Sequence, residues 1–269
     1  MKINIFFTTF IFLIFVPNIG IGNAFYSNLI NSSTAITSFS SLNEFNPATL
    51  TSDYNNQLNL KYIPSRLGVQ DLNYNSIYGK FAINDKFAVG IRTGGIFNSL
   101  FNDYTVAAAI SGNLNQILNL GLEFEYNSYS VKDFSTSSQL WVNLGGKLKI
   151  DESVYAAFIL RNTFRNYRSS GIINPEQTAQ IGFGVAPLDN FYIDIDAVIN
   201  IAKSSAALVA AKYDLEKFMS MRIAYLSNPQ LVSAGISIKL TGNYFMEYIL
   251  SKYNDFEYEH CIGVSFIWR

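Results

Sequence analysis

The chain predicts an all-β fold: a transmembrane antiparallel β-barrel of about fourteen strands, with a short N-terminal segment placed to plug its lumen. Three observations predict it. Hydrophobicity alternates with period two through most of the chain after Asn55, a basic-then-apolar run opens the sequence, and no later stretch approaches the roughly 20 uncharged apolar residues that a spanning helix needs. The last strand shows the alternation most clearly. Tyr258, His260, Ile262, Val264, Phe266 and Trp268 share one face, and Glu257, Glu259, Cys261, Gly263 and Ser265 share the other. A strand with one face to lipid and the other to a small polar lumen reads this way. Tyr258, Phe266 and Trp268 therefore mark a barrel-closing strand, which must pair with the first because lipid cannot hydrogen-bond an open edge.

Composition agrees. A formal net charge of -1 over 269 residues gives no electrostatic footprint for nucleic acid. The 22 Phe and 17 Tyr suit strands and interfacial girdles. The single cysteine, Cys261, excludes an internal disulfide and a cysteine metal cluster.

Met1-Lys2, the apolar run Ile3–Val16, the breakers Pro17, Asn18 and Gly20, and the small residues around Ala24 read as a signal peptide over residues 1–24, cut after Ala24. Residues 25–55 are polar and small, with Phe39, Leu42 and Phe45 interspersed, and Asn46-Pro47-Ala48 ends whatever turn precedes it. This segment is either tucked into or beneath the barrel, or a plain leader.

The barrel is expected over residues 56–269. Leu58, Leu60 and Tyr62 alternate with Asn59 and Lys61. Tyr78–Asn84 and Phe87–Thr93 flank a turn at Asn84-Asp85-Lys86. Tyr104, Val106, Ala108 and Ile110 oppose Thr105, Ala107, Ala109 and Ser111. Leu118 to Tyr126 opposes Asn119 to Asn127, and Leu140 to Ile150 opposes Gln139 to Lys149. In the second half, Val154–Phe164 carries Arg161 and Thr163 on its polar side, Ile181, Phe183 and Val185 face away from Gln180, and Phe191 to Ile199 opposes Asp194 and Asp196. Ala206–Asp214 is ambiguous in facing. Met219 to Tyr225, Val232 to Leu240 and Tyr244–Tyr253 complete the set. Tight connections such as Asp151-Glu152 alternate with longer ones at Pro64–Asp71, Phe97–Asn102, Ser130–Thr136 and Arg165–Gln177, which places both termini on the periplasmic side. A soluble sandwich would want interlocking side chains on alternate faces, not charged residues opposite a continuous apolar band.

The same parity puts Lys61, Lys80, Arg92, Glu123, Glu125, Lys147, Lys149, Arg161, Asp194, Asp196, Arg222 and Lys239 toward the lumen. Both signs occur, so pairing across the interior is the default. The lumen-lining candidates are Glu123, Glu125, Arg161, Asp194, Asp196 and Arg222. The i, i+2 carboxylates stand about 7 Å apart, a spacing that alternation alone generates. No catalytic residue, metal ligand or cofactor is expected: no nucleophile elbow, phosphate loop or metal spacing occurs. A lipid-facing Ser-His esterase at the only histidine, the outward His260, would need a serine and an orienting group that no signature selects. Glycine pairs such as Gly145-Gly146 read as bulges or sites of close packing.

Several stretches together resemble the PorV/PorQ-like outer-membrane proteins, relatives of the FadL-type hydrophobe transporters. They are Asn46-Pro47-Ala48 within Glu44–Leu50, Leu58-Asn59-Leu60-Lys61-Tyr62-Ile63-Pro64, Ser227–Ile236 and Glu259–Phe266. Where that family carries a glycine-rich stretch with a basic residue, Ile30–Leu42 is rich in Ser, Thr and Asn. The resemblance implies an accessory barrel of the bacterial outer membrane, working with other envelope or secretion proteins in a type IX-like pathway. The FadL relationship implies the alternative, a passive conduit for a small hydrophobic ligand. Outer-membrane lipid is the expected surrounding in both, and nucleic acid is not a partner.

Overall fold

The structure, a computed structural model, describes residues 46–52, 55–69, 71–133, 136–163, 177–200, 205–216, 218–254 and 256–269. The expected signal peptide, most of the 25–55 segment and most of the Arg165–Gln177 connection lie outside the described residues. Fourteen strands form one closed antiparallel barrel in sequence order. They are β1 (Asn56–Ile63), β2 (Tyr74–Ala82), β3 (Phe87–Phe97), β4 (Phe101–Asn113), β5 (Leu118–Val131), β6 (Thr136–Lys149) and β7 (Val154–Arg161). There follow β8 (Thr178–Leu188), β9 (Phe191–Asn200), β10 (Ala206–Leu215), β11 (Met219–Ser227), β12 (Gln230–Thr241), β13 (Tyr244–Tyr253) and β14 (Tyr258–Trp268). β14 pairs with β13 on one edge and with β1 on the other, from Asn56 opposite Trp268 to Tyr62 opposite Ile262.

The wall is inside-out by the standard of a soluble protein. On β1, Gln57, Asn59 and Lys61 are buried, whereas Leu60 is 47% and Tyr62 43% exposed. The pattern recurs around the circumference: Lys80 and Asp196 are 0% exposed, while Ile91 and Phe183 are 54% and 55%. A continuous exposed apolar surface of this extent is unstable in water and is the lipid belt of a spanning barrel. At the end where β1 begins and β14 finishes, Trp268 stacks on Phe266 with centroids 5.1 Å apart, and Phe81 and Tyr244 join them. Tyr258 stands exposed at the opposite end of the same strand. Aromatic side chains thus mark both ends of the belt.

The connections at the end where β1 begins are tight, and short side chains set them. Asn84 Oδ1 accepts from the backbone N–H groups of Lys86 and Phe87. Asp151 Oδ1 accepts from the N–H and hydroxyl of Ser153 and the N–H of Val154, which hold this exposed carboxyl below its ordinary pKa. Tight turns are the usual mark of the periplasmic end of such a barrel, and the two ends are called periplasmic and outer by that convention.

The outer connections differ from the expected alternation of lengths. β3 and β4 are joined by residues 98–100 alone, because Asn98 Oδ1 caps that turn from Leu100 and Phe101. β11 and β12 are joined by Asn228-Pro229. The strand expected to reach Phe164 stops at Arg161, since Asn162 adopts φ 54, a left-handed conformation that asparagine tolerates and a strand does not continue through. The ambiguous Ala206–Asp214 stretch is a strand with Ala206, Leu208 and Ala210 buried inside and Val209 and Tyr213 outside.

Phe124 tests the lipid face. It lies near the middle of β5 and is 50% exposed. Phe124→Arg is expected to lower the unfolding free energy in vesicles by about 2–4 kcal/mol, as measured by urea titration. A change within about 0.5 kcal/mol, normal for a water-exposed site, would contradict a membrane-facing wall.

Candidate functional site

The lumen is built in three tiers. At the periplasmic end, a 3-10 turn, Pro47–Thr51, lies against the inner faces of β3 to β6. Asn46 organises it: its Oδ1 accepts from Ala48 N–H at 3.1 Å, and its Nδ2 donates to the Gly146 carbonyl at 3.4 Å. Thr49 Oγ1 donates to the Asn46 carbonyl at 2.8 Å, and the Ser111 hydroxyl of β4 donates to the Ala48 carbonyl at 3.3 Å. The wall must give way for this. A Cβ on Gly145 would lie 2.1 Å from Asn46 Oδ1, and one on Gly121 would lie 2.3 Å from the Pro47 carbonyl carbon. Glycine at these two inward positions is therefore a requirement of the close approach. Asn46 and Ala48 are 1% and 0% exposed, and Leu50 sits between Gly90 and Tyr78.

The middle tier is charged and cross-linked. Arg92 on β3 donates to Glu125 at 3.0 Å and to Glu123 at 3.4 Å, both on β5. Inward Ala107 and Ala109 of the intervening β4 leave the side chain room to cross two strand spacings, about 10 Å. Asn143 of β6 donates to both carboxylates at 2.8 and 3.0 Å, Asn127 donates to Glu125 at 2.9 Å, and the charge of Arg161 reaches Glu123. A second group faces it from β9 and β11. Gln180 donates to Asp196 at 2.8 Å, and Asp194 and Asp196 both act electrostatically on Arg222. Here Ala210 of β10 is the small intervening residue. All six charged candidates of the sequence lie on the inner face, each 5% exposed or less, in these two groups. Among the described residues no group of side chains suits a metal ion.

The outer tier is apolar, and sequence parity did not single it out. Val198, Leu208, Leu226, Leu231 and Tyr253, from β9 to β13, form one buried cluster with Ala206, Ala210 and Ala224. Ile63, Ile249 and Cys261 form another beside it, with Tyr74 against them. The signal that could have found this tier is the break in polar alternation on the inward positions of β9 to β13 toward their outer ends. His260 lies outside the barrel, with Nδ1 2.6 Å from the Tyr248 hydroxyl.

The fold and this lumen define a transmembrane β-barrel of the outer-membrane type. No protein-family model matches the chain, and no curated protein matches its sequence. Solved structures do. The Pseudomonas putida toluene transporter TodX is similar over 93% of this chain and 98% of its own, with TM-score 0.59 and 10% identity. The CymD monoaromatic hydrocarbon channel is similar over 84% of this chain and 91% of its own, at TM-score 0.58 and 11% identity. Acinetobacter baumannii outer membrane protein Omp33 is similar over 79% and 96%, at TM-score 0.53 and 10% identity. At these identities the likeness is one of fold.

These findings overturn the resemblance to PorV/PorQ-like proteins and the type IX accessory role drawn from it, since the similar barrels are hydrocarbon channels and a small outer-membrane protein. The physical reason lies in the motifs. Leu58, Leu60 and Tyr62, and the alternate residues of the His260 strand, face outward, so lipid-facing alternation produces them in any such wall.

Arg92 is the test of the middle tier. Arg92→Met leaves two buried carboxylates without their arginine and is expected to cost about 3–5 kcal/mol in urea unfolding. Adding Glu123→Gln and Glu125→Gln should recover most of that loss; no recovery would mean the arginine acts through packing alone.

Proposed function

We propose that the chain is a passive channel of the bacterial outer membrane for small hydrophobic molecules. The observation that carries the reading is the apolar outer tier, a buried aliphatic cluster set into an otherwise polar lumen on the side from which nutrients arrive. An apolar solute that takes the place of a side chain covering this cluster gains about 0.8 kcal/mol per buried methylene. The charged tier below it pairs arginines with carboxylates, so it offers no uncompensated ring of one sign to select an ion. Support also comes from the hydrocarbon channels whose fold it shares. The apolar run at residues 3–16, read as an export signal, fits the same location. The reading is of a non-catalytic protein: the ring nitrogen of His260 is paired with the Tyr248 hydroxyl.

The turn at Asn46–Ser52 stands on the periplasmic side of that route and is part of the device, either as a fixed floor or as a piece that shifts. Gly145→Val distinguishes a channel from a sealed barrel, because its side chain cannot coexist with Asn46 where it stands. In planar bilayers the variant is expected to conduct ions at least about tenfold better than wild type. In cells lacking their own hydrocarbon channel, wild type is expected to speed toluene uptake in proportion to concentration and independently of an uncoupler. Uptake no faster than with an empty vector would overturn the reading.

A further inference from the structure

Residues 64–73 join β1 to β2 at the outer end, and their first turn, Arg66–Gly68, folds back into the lumen. The turn is closed internally: Arg66 N–H donates to the Leu72 carbonyl and Val69 N–H to that of Arg66. Leu67 holds φ 55 and ψ 23, a left-handed conformation that a bulky residue adopts only where its surroundings enforce it. Its N–H donates to Glu259 Oε2 on β14 at 3.0 Å, and its side chain packs on the apolar outer cluster. Arg66, 7% exposed, stacks over Tyr74 with 5.6 Å to the ring centroid, and its charge reaches Glu259 on β14 and Asp103 on β4. The loop is thus held by one polar anchor on each of two walls while it offers a leucine to the lining.

We propose that the surface formed by Val198, Leu208, Leu226, Leu231 and Tyr253 is a binding site for a compact, uncharged apolar molecule, and that Leu67 is the occupant the molecule displaces. The inference rests on the channel reading and sharpens its substrate class. Its size follows from the occupant, a four-carbon side chain, and from the alanines that flank the lining. Its charge follows from the lining: the aliphatic side chains of Val198, Leu208, Leu226 and Leu231 offer a carboxylate no partner. An anion would be desolvated there without compensation, whereas a hydrocarbon would not. The class is neutral hydrocarbon, not fatty acid. Competition by a tethered side chain lowers apparent affinity by the fraction of time the site is free, so removing the competitor tightens binding without touching the lining.

The experiment is saturation-transfer NMR on the full barrel in perdeuterated detergent, with toluene and octanoate as probes. Leu67→Gly removes the side chain and suits the left-handed backbone, so the loop keeps its turn. It is expected to bind toluene about three- to tenfold more tightly than wild type, with octanoate giving no comparable signal. Leu226→Trp fills the lining and should abolish the toluene signal, a heat-modified gel shift serving as its folding control. Should that variant not fold, the Leu67→Gly comparison decides alone. Toluene binding that is equal in wild type and Leu67→Gly overturns the site and leaves the channel reading standing. Octanoate binding as tight as toluene overturns the substrate class. No toluene signal in wild type or in Leu67→Gly overturns the inference and the channel reading together.

Discussion

Every feature of this barrel descends from the inability of lipid to hydrogen-bond a peptide group. A strand at the edge of an open sheet would carry unpaired N–H and C=O groups into hydrocarbon at several kcal/mol each. The pairing of β1 with β14 removes that edge, so the register from Asn56–Trp268 to Tyr62–Ile262 is the closure on which the other thirteen pairings depend. Closure also fixes which face is inside. Once the wall is a ring, one side chain in two points to lipid, and polar groups have nowhere to go but the lumen.

A small lumen crowded with polar side chains works only if some inward positions are nearly empty. Glycines at 121 and 145 accept the Asn46–Ser52 turn, and the alanines of β4 let Arg92 reach carboxylates two strands away. The β9–β11 side repeats the device: Ala210 stands between the Asp194/Asp196 strand and the strand of Arg222. Lys212, the other cation nearby, is held by Asp214 at 3.2 Å and by the Tyr192 ring, which leaves the aspartates to Arg222. The second half of the ring thus brings together the same residue types, an arginine within electrostatic reach of an i, i+2 carboxylate pair.

The strands and the inward direction of the charged residues were legible in the sequence because period-two alternation is a local property, written into each strand by the lipid it faces. Which charges meet was not legible. Arg92 and Glu125 are 33 residues apart, and their meeting depends on the register of two successive hairpins and on the alanines between them. Loop lengths were read too long at Asn98–Leu100, where a single asparagine side chain closes a turn that composition presents as a loop. The family resemblance failed in part for a related reason: the motifs around Leu58 and His260 are outward alternate residues, which report the solvent, not the ancestry. Leu67 and Arg66 lay in a stretch read only as a connection, since nothing in Pro64-Ser65-Arg66-Leu67-Gly68 indicates that it turns inward.

The tiers of the lumen act in opposite senses on a solute, and their order matters. Had the charged tier faced outward and the apolar one inward, an apolar molecule would meet its barrier first. On the proposed channel reading, the outermost apolar tier would concentrate an apolar solute before it reaches the paired charges. Those charges are stiff: Glu125 alone engages Arg92, Asn127 and Asn143. A cross-linked network of this kind is costly to reorganise around a passing ion. An uncharged molecule makes no demand for such reorganisation, so the same tier discriminates against it less. On that reading, the sidedness of the lumen, apolar above and paired charge below, would do more to define the solute than any single residue in it.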